Sequence, residues 1–121
     1  MTLSAADLAA MPHREVKVGD AVLSGIAVSD LLQRAGAPAG ADLHREKLAL
    51  YLLVEAADGY RVVFSLPELD PAFGVRTALL VDRRDSKPLS SDEGPFHLVL
   101  PDEKVKARWV RQAMALTVKK G

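Results

Sequence analysis

Two apolar runs joined by an Asp-Gly dipeptide constrain this chain more than any other feature. Leu48–Val54 reads LALYLLV, and Arg61–Phe64 returns with two valines and a phenylalanine. Asp58-Gly59 lies between them, and a tight antiparallel connection needs residues that tolerate positive φ. The arrangement predicts a hairpin, with Leu48–Val54 as a strand covered on both faces. Asp58 is expected to serve the turn rather than catalysis.

The remaining segments read as short strands and shorter helices. Ser4-Ala-Ala-Asp7 opens a helix that Pro12 ends. Glu15–Val18 and Ala21–Leu23 flank Gly19-Asp20, a second hairpin turn. Ser29 is the expected cap of a helix through Ala35, with Leu31 and Leu32 inward and Gly36 as the left-handed stop. Ala37–Ala41 is a loop. Leu66–Phe73, interrupted by Pro67 and Pro71, predicts a short helical turn. Ala78–Val81 predicts a buried strand, followed by a charged turn at Asp82–Lys87. Phe96–Leu100 and Gln112–Val118 complete the strands, the last placing Met114, Leu116 and Val118 on one face. Strands broken by short helices, without regular βαβ alternation, indicate an α+β fold with a mixed, curved sheet. At 121 residues and 49% apolar composition, one domain spanning residues 1–121 is expected.

The formal net charge is zero, which argues against general affinity for nucleic acid or anionic membranes. The distribution is uneven: residues 1–60 carry 5 Lys/Arg against 8 Asp/Glu, and residues 61–121 carry 11 against 8. Beyond Glu103 come Lys104, Lys106, Arg108, Arg111, Lys119 and Lys120, with no acid. This basic end suits a phosphate, an acidic partner surface or a lysine-guarded strand edge. No apolar run approaches the length of a membrane-spanning helix, so membrane insertion is not expected. Met1–Pro12 lacks the features of a secretory signal. As written, the chain reads as cytoplasmic; an export signal removed ahead of Met1 would make it periplasmic.

With no cysteine, the chain has no disulfide, thiolate ligand or thiol nucleophile. His13, His44 and His97 are too far apart for a local zinc motif. His13 and His44, each followed by Arg-Glu, are expected at the solvated surface. His97 alternates with Phe96 and Leu98, which leaves it either lining a site or half-exposed on the sheet. Trp109, between Arg108 and Val110, is either a core residue or a stacking platform. No serine lies in G-x-S-x-G, and no glycine-rich phosphate loop is present.

One ordered string remains. Glu93–Pro101 reads EGPFHLVLP and Ala107–Gln112 reads ARWVRQ. Together they resemble the closing part of the molybdopterin-binding domain of sulfite-oxidase-type oxidoreductases, where G-x-P-x-R-L-V-x-P precedes K-W. Leu23–Leu32 is similar to the W-x-G-x-x-L-x-D-L-L segment of that family. Gly25, Asp30, Leu31 and Leu32 coincide, and Leu23 replaces the aromatic. Ala57–Tyr60 resembles its D-G-Y turn, Ser65–Leu69 its S-L-x-E-L-like continuation, and Lys87–Leu89 its G-x-P-L segment. The resemblance runs from Leu23 to Val118 and implies a reduced form of that domain. Its implied cofactor is molybdopterin, whose phosphate contacts would fall on Arg108, with Lys104, Lys106 and His97 as further candidates and Trp109 beside them.

Three departures shape the functional expectation. The segment bearing the metal-ligating cysteine is missing, His97 stands for an arginine, and Arg108 stands for a lysine. Only Met1, Met11 and Met114 contain sulfur, so the soft thiolate that holds molybdenum has no counterpart here. The expected role is a non-catalytic binding module for a small anionic, pterin-like ligand or for a protein partner, including a second copy. The alternative is a molybdenum-cofactor-dependent oxidoreductase or electron-transfer accessory subunit. A sensor domain separated from a signalling protein is a third reading. On the anion-binding reading, Arg108→Ala abolishes binding and leaves the fold intact.

Overall fold

The computed structural model describes residues 5–73 and 77–120. Met1–Ser4 fall outside them, and with these the expected Ser4 cap. The fold is α+β, with short helices and two antiparallel sheets rather than one mixed sheet.

After α1 (Ala5–Ala10), β1 (Arg14–Val18) and β2 (Ala21–Ala27) form the expected hairpin, with Val18 opposite Ala21. β2 runs directly into α2 (Val28–Arg34). Its N-cap is Ala27 rather than Ser29 and makes no side-chain cap bond. The start is instead tied to the sheet by the Val28 amide, which donates to Ala78 O at 2.9 Å. At the far end Gly36 has φ 84°. Its amide donates to Gln33 O and that of Ala37 donates to Leu32 O, a Schellman closure that needs the left-handed residue.

The long apolar run divides differently from expectation. Arg45–Ala49 is a 3-10 turn with Leu48 45% exposed, and β3 (Tyr51–Ala56) begins only at Tyr51. β3 pairs with β4 (Arg61–Ser65) through the Asp58-Gly59 turn, where Asp58 Oδ1 accepts the Tyr60 amide at 3.0 Å. Ser65 and Glu68 then form a reciprocal capping box over α3 (Leu66–Leu69), and Pro71–Phe73 adds a 3-10 turn.

β5 (Leu79–Arg84) extends three residues past the strand expected at Ala78–Val81. The charged turn therefore contracts to Asp85-Ser86, both at positive φ, before β6 (Lys87–Pro88). β7 (His97–Val99) and β8 (Ala113–Lys119) complete the strands. The first sheet runs β1-β2-β5, and the far edge of β5 is shared by β6 and β7. The second runs β4-β3-β8.

The first sheet buries both faces. Ile26, Leu80 and Leu98 lie side by side and pack with α2, Leu52, Val54 and Phe64 in the main core. On the reverse face Ala27, Leu79, Val81 and Val99 form a smaller cluster with Leu23. Trp109 packs against both clusters. The second sheet is different. Its core-facing row includes Leu52 opposite Val118 and Val54 opposite Leu116, yet Val118 is 38% exposed and Met114 71%. Leu116 and Val118 keep the face that alternation predicts, but Met114 falls at a register shift, with Ala56 opposite Ala113 and Glu55 opposite Ala115, and stands outside the regular ladder.

Candidate functional site

The sequence candidates separate into two groups. Arg108 lies at the end of a 3-10 turn, Lys106–Arg108, and its guanidinium covers the Phe64 ring at 4.4 Å. Its nitrogens meet both oxygens of Glu68, at 3.1 and 3.3 Å, and also Glu103. Burial works against the charge, but the hydrogen bonds that the guanidinium donates to Glu103 and Glu68 outweigh it and hold its pKa above the ordinary value. Two carboxylates already neutralise this cation. It ties the loop at 103–108 to β4 and α3.

His97 belongs to the second group. It is buried, correcting the half-exposed placement. Burial lowers its pKa, and the nearby Glu93 carboxylate, 3.4 Å from Nδ1, only partly offsets this. Glu93 is itself subject to burial, which raises its pKa. The Arg84 hydrogen bond at 3.0 Å and charge prevail and hold it below the usual range. Trp109 meets His97 edge to face, with centroids 5.8 Å apart, and donates Nε1–H to Leu100 O at 3.1 Å. The Lys106 ammonium lies over the indole at 4.7 Å. Lys104 is exposed. Thus His97, Trp109 and Lys106 are brought together, while Arg108 engages a different set of partners.

These residues do not fit a molybdopterin. No thiolate is available, the best cation is already paired with two acids, and buried His97 favours its neutral form. Among the described residues, no three His, Asp or Glu side chains gather as a metal site.

His13 was expected at the solvated surface but is half-buried. Nδ1 faces Met11 O at 2.8 Å and Nε2 faces Asp82 Oδ2 at 3.0 Å. Both partners accept hydrogen bonds, so the charged imidazolium satisfies both. The Asp82 hydrogen bond raises the histidine pKa despite desolvation. This contact joins the α1–β1 connection to β5. His44 is exposed, as expected.

The sequence did not mark a further concavity. An apolar groove of about 780 Å³ runs between α2 and β8. Leu8, Leu31, Leu32, Phe96, Leu116 and Val118 are among its lining residues, and Thr117 supplies the only polar side chain of that lining. It exists because seven-residue α2 seals the core with Val28 and Leu31 but leaves the outer half of β8 uncovered. Among the described residues, no strand pairs with the outer edge of β8. At its start the Ala113 amide donates to Phe96 O at 2.8 Å, so the open stretch begins at Met114. Met114–Val118 contains no charge, a signal available in the sequence once this segment is recognised as an edge.

No protein-family model matches the chain, and neither the curated proteins nor the solved structures provide a match.

Proposed function

We propose that this protein is a non-catalytic binding module that receives an extended apolar segment of a protein partner along β8. The observation that carries this reading is the coincidence of a strand edge, unpaired among the described residues, with an adjoining apolar groove of about 780 Å³. Strand addition uses both features: backbone groups pair along the edge, and alternate side chains enter the groove. The groove falls in the usual volume range of binding sites, but its lining offers little to fix a small anion. The scaffold itself we read as a reduced counterpart of the sulfite-oxidase-type molybdopterin domain. Support comes from the quoted motifs, which occupy the β2–α2 junction, the β3–β4 turn, the α3 cap and the approach to β7. The neutralised Arg108 favours the protein-partner branch over a pterin-like ligand.

The reading is tested by selecting peptides from a displayed library. Binders are expected to alternate apolar residues with period two. Met114→Glu should weaken them at least about tenfold, because it places a carboxylate at the groove rim. Selection of anionic ligands that depend on Lys104, Lys106 or Arg108, with Met114→Glu neutral, would contradict it.

A further inference from the structure

We infer that His13 is a pH-operated latch: charged, it fastens α1 to β5; neutral, it releases that helix and withdraws Leu8 from the wall of the groove. The latch stands on its own geometry, while its consequence for binding rests on the β8 reading above.

α1 needs a fastening. Six residues are too few to make a helix stable without tertiary support. Ala6, Ala9 and Ala10 are exposed, Leu8 is half-buried, and Met11, just beyond the helix, is buried in the main core. Leu8 also lines the groove, so the docked helix forms part of that wall. His13 closes the segment, with Nδ1 2.8 Å from Met11 O and Nε2 3.0 Å from Asp82 Oδ2.

Strand register places Asp82 for this contact. Gly25 lies opposite Val81 and Ser24 opposite Arg83, which leaves Asp82 between them as the extra residue on β5. Such an irregularity re-aims a side chain out of the strand's alternation. Here the carboxylate meets an imidazole 69 positions away. Its other oxygen, Oδ1, is buried and has no hydrogen-bond partner among the described residues. Compensation of the carboxylate therefore falls on His13.

Only the imidazolium has an N–H for each of the two acceptors. Loss of the proton sets a ring lone pair against an oxygen, at Met11 or at Asp82, and one end of the bridge opens. Of the surrounding charges, Asp82 favours the charged ring and Arg83 beside it opposes it. Arg14 is engaged with Asp30 of α2 at 3.8 Å, and α1 contributes one charged side chain, Asp7. The balance raises the pKa of His13. The latch is thus closed below about pH 6.5 and opens as pH rises through the folded value. His97 titrates with the opposite sign and has Glu93 and Trp109 as partners instead.

The absence of native cysteine allows a direct test. Met11→Cys puts a single thiol at the latch. Its labelling rate is divided by that of Met114→Cys, at a position 71% exposed, to remove the pH dependence of the thiol itself. Between about pH 5.5 and about pH 8.5 the ratio should rise about tenfold, the loss of one hydrogen bond to a charged group. Adding His13→Gln should remove the rise, because an amide does not titrate. Hydrogen exchange of the unsubstituted chain, corrected for intrinsic rates, should show residues 6–11 losing protection over the same range while β2 and β5 keep theirs. That measurement decides the matter if Met11→Cys loosens the fold. A ratio constant with pH, a rise that persists with His13→Gln, or a loss of protection shared equally by β2 and β5 would overturn the latch. A peptide selected on β8 should bind more weakly at the alkaline end, since Leu8 leaves the groove. Release of α1 with unchanged peptide affinity overturns only the link to the groove. Release of α1 in a chain that binds no such peptide overturns the β8 reading and leaves the latch standing.

Discussion

Arg108 shows how a residue chosen for its charge can be occupied in holding the fold. Its guanidinium lies on Phe64 and pairs with Glu68 and Glu103, so truncation removes a cation–π contact and both ion pairs. Arg108→Ala should therefore destabilise the chain by about 2 kcal/mol, the scale of a hydrogen-bonded charge. Arg108→Lys should restore only part of this because it lacks the bidentate fork. An unchanged urea midpoint for Arg108→Ala would contradict the structural role. The two buried or half-buried histidines make opposite predictions with pH. The folded-state pKa of His13 is raised, so its stabilisation is fully present below about pH 6.5 and is lost as pH rises through the folded value. That of His97 is lowered, so its contribution is present above about pH 6.5 and is lost as pH falls towards the folded value. His13→Gln should cost more stability in mildly acidic than in alkaline buffer. His97→Gln should flatten the loss of stability on acidification. Denaturant curves on both sides of neutrality check both signs.

At the scale of elements, close packing of strands governs. Gly25 sits at the register shift between β2 and β5, where an added Cβ would lie 2.6 Å from Leu80 O and 2.7 Å from Val81 Cα. Those are backbone atoms of the neighbouring strand and cannot move aside singly. Gly25→Ala should cost about 3 kcal/mol, the upper range of overpacking, and be visible as an early thermal transition. A variant with unchanged melting temperature would mean that β2 and β5 separate more easily than the pairing implies. Both hairpins were legible because their turn chemistry is local: Gly19-Asp20 and Asp58-Gly59 declare themselves in the sequence. Boundaries governed by distant partners were not. The Asp85-Ser86 turn has no glycine, so β5 looked shorter than it is. The α2 cap was assigned to Ser29, yet a backbone bond from Val28 to Ala78 ties down the start of that helix.

Over the whole molecule, two sheets share a core that α2 covers incompletely. Alternation placed Leu116 and Val118 on a common face, opposite Val54 and Leu52, but strand period reports neither the register shift at Met114 nor whether a helix reaches that face. The basic-aromatic end suffered the converse error. Charge along the sequence suggested an open anion site, while the carboxylates that occupy Arg108 come from 5 and 40 positions away. On the proposed reading, binding falls on β8 and the α2 groove rather than on the basic-aromatic end around Lys104–Trp109. Amide hydrogen exchange with and without a selected apolar peptide tests this claim most directly. Slowed exchange along residues 114–118, with residues 103–109 unchanged, is the predicted result. Protection confined to residues 94–109, with β8 unaffected, would contradict it.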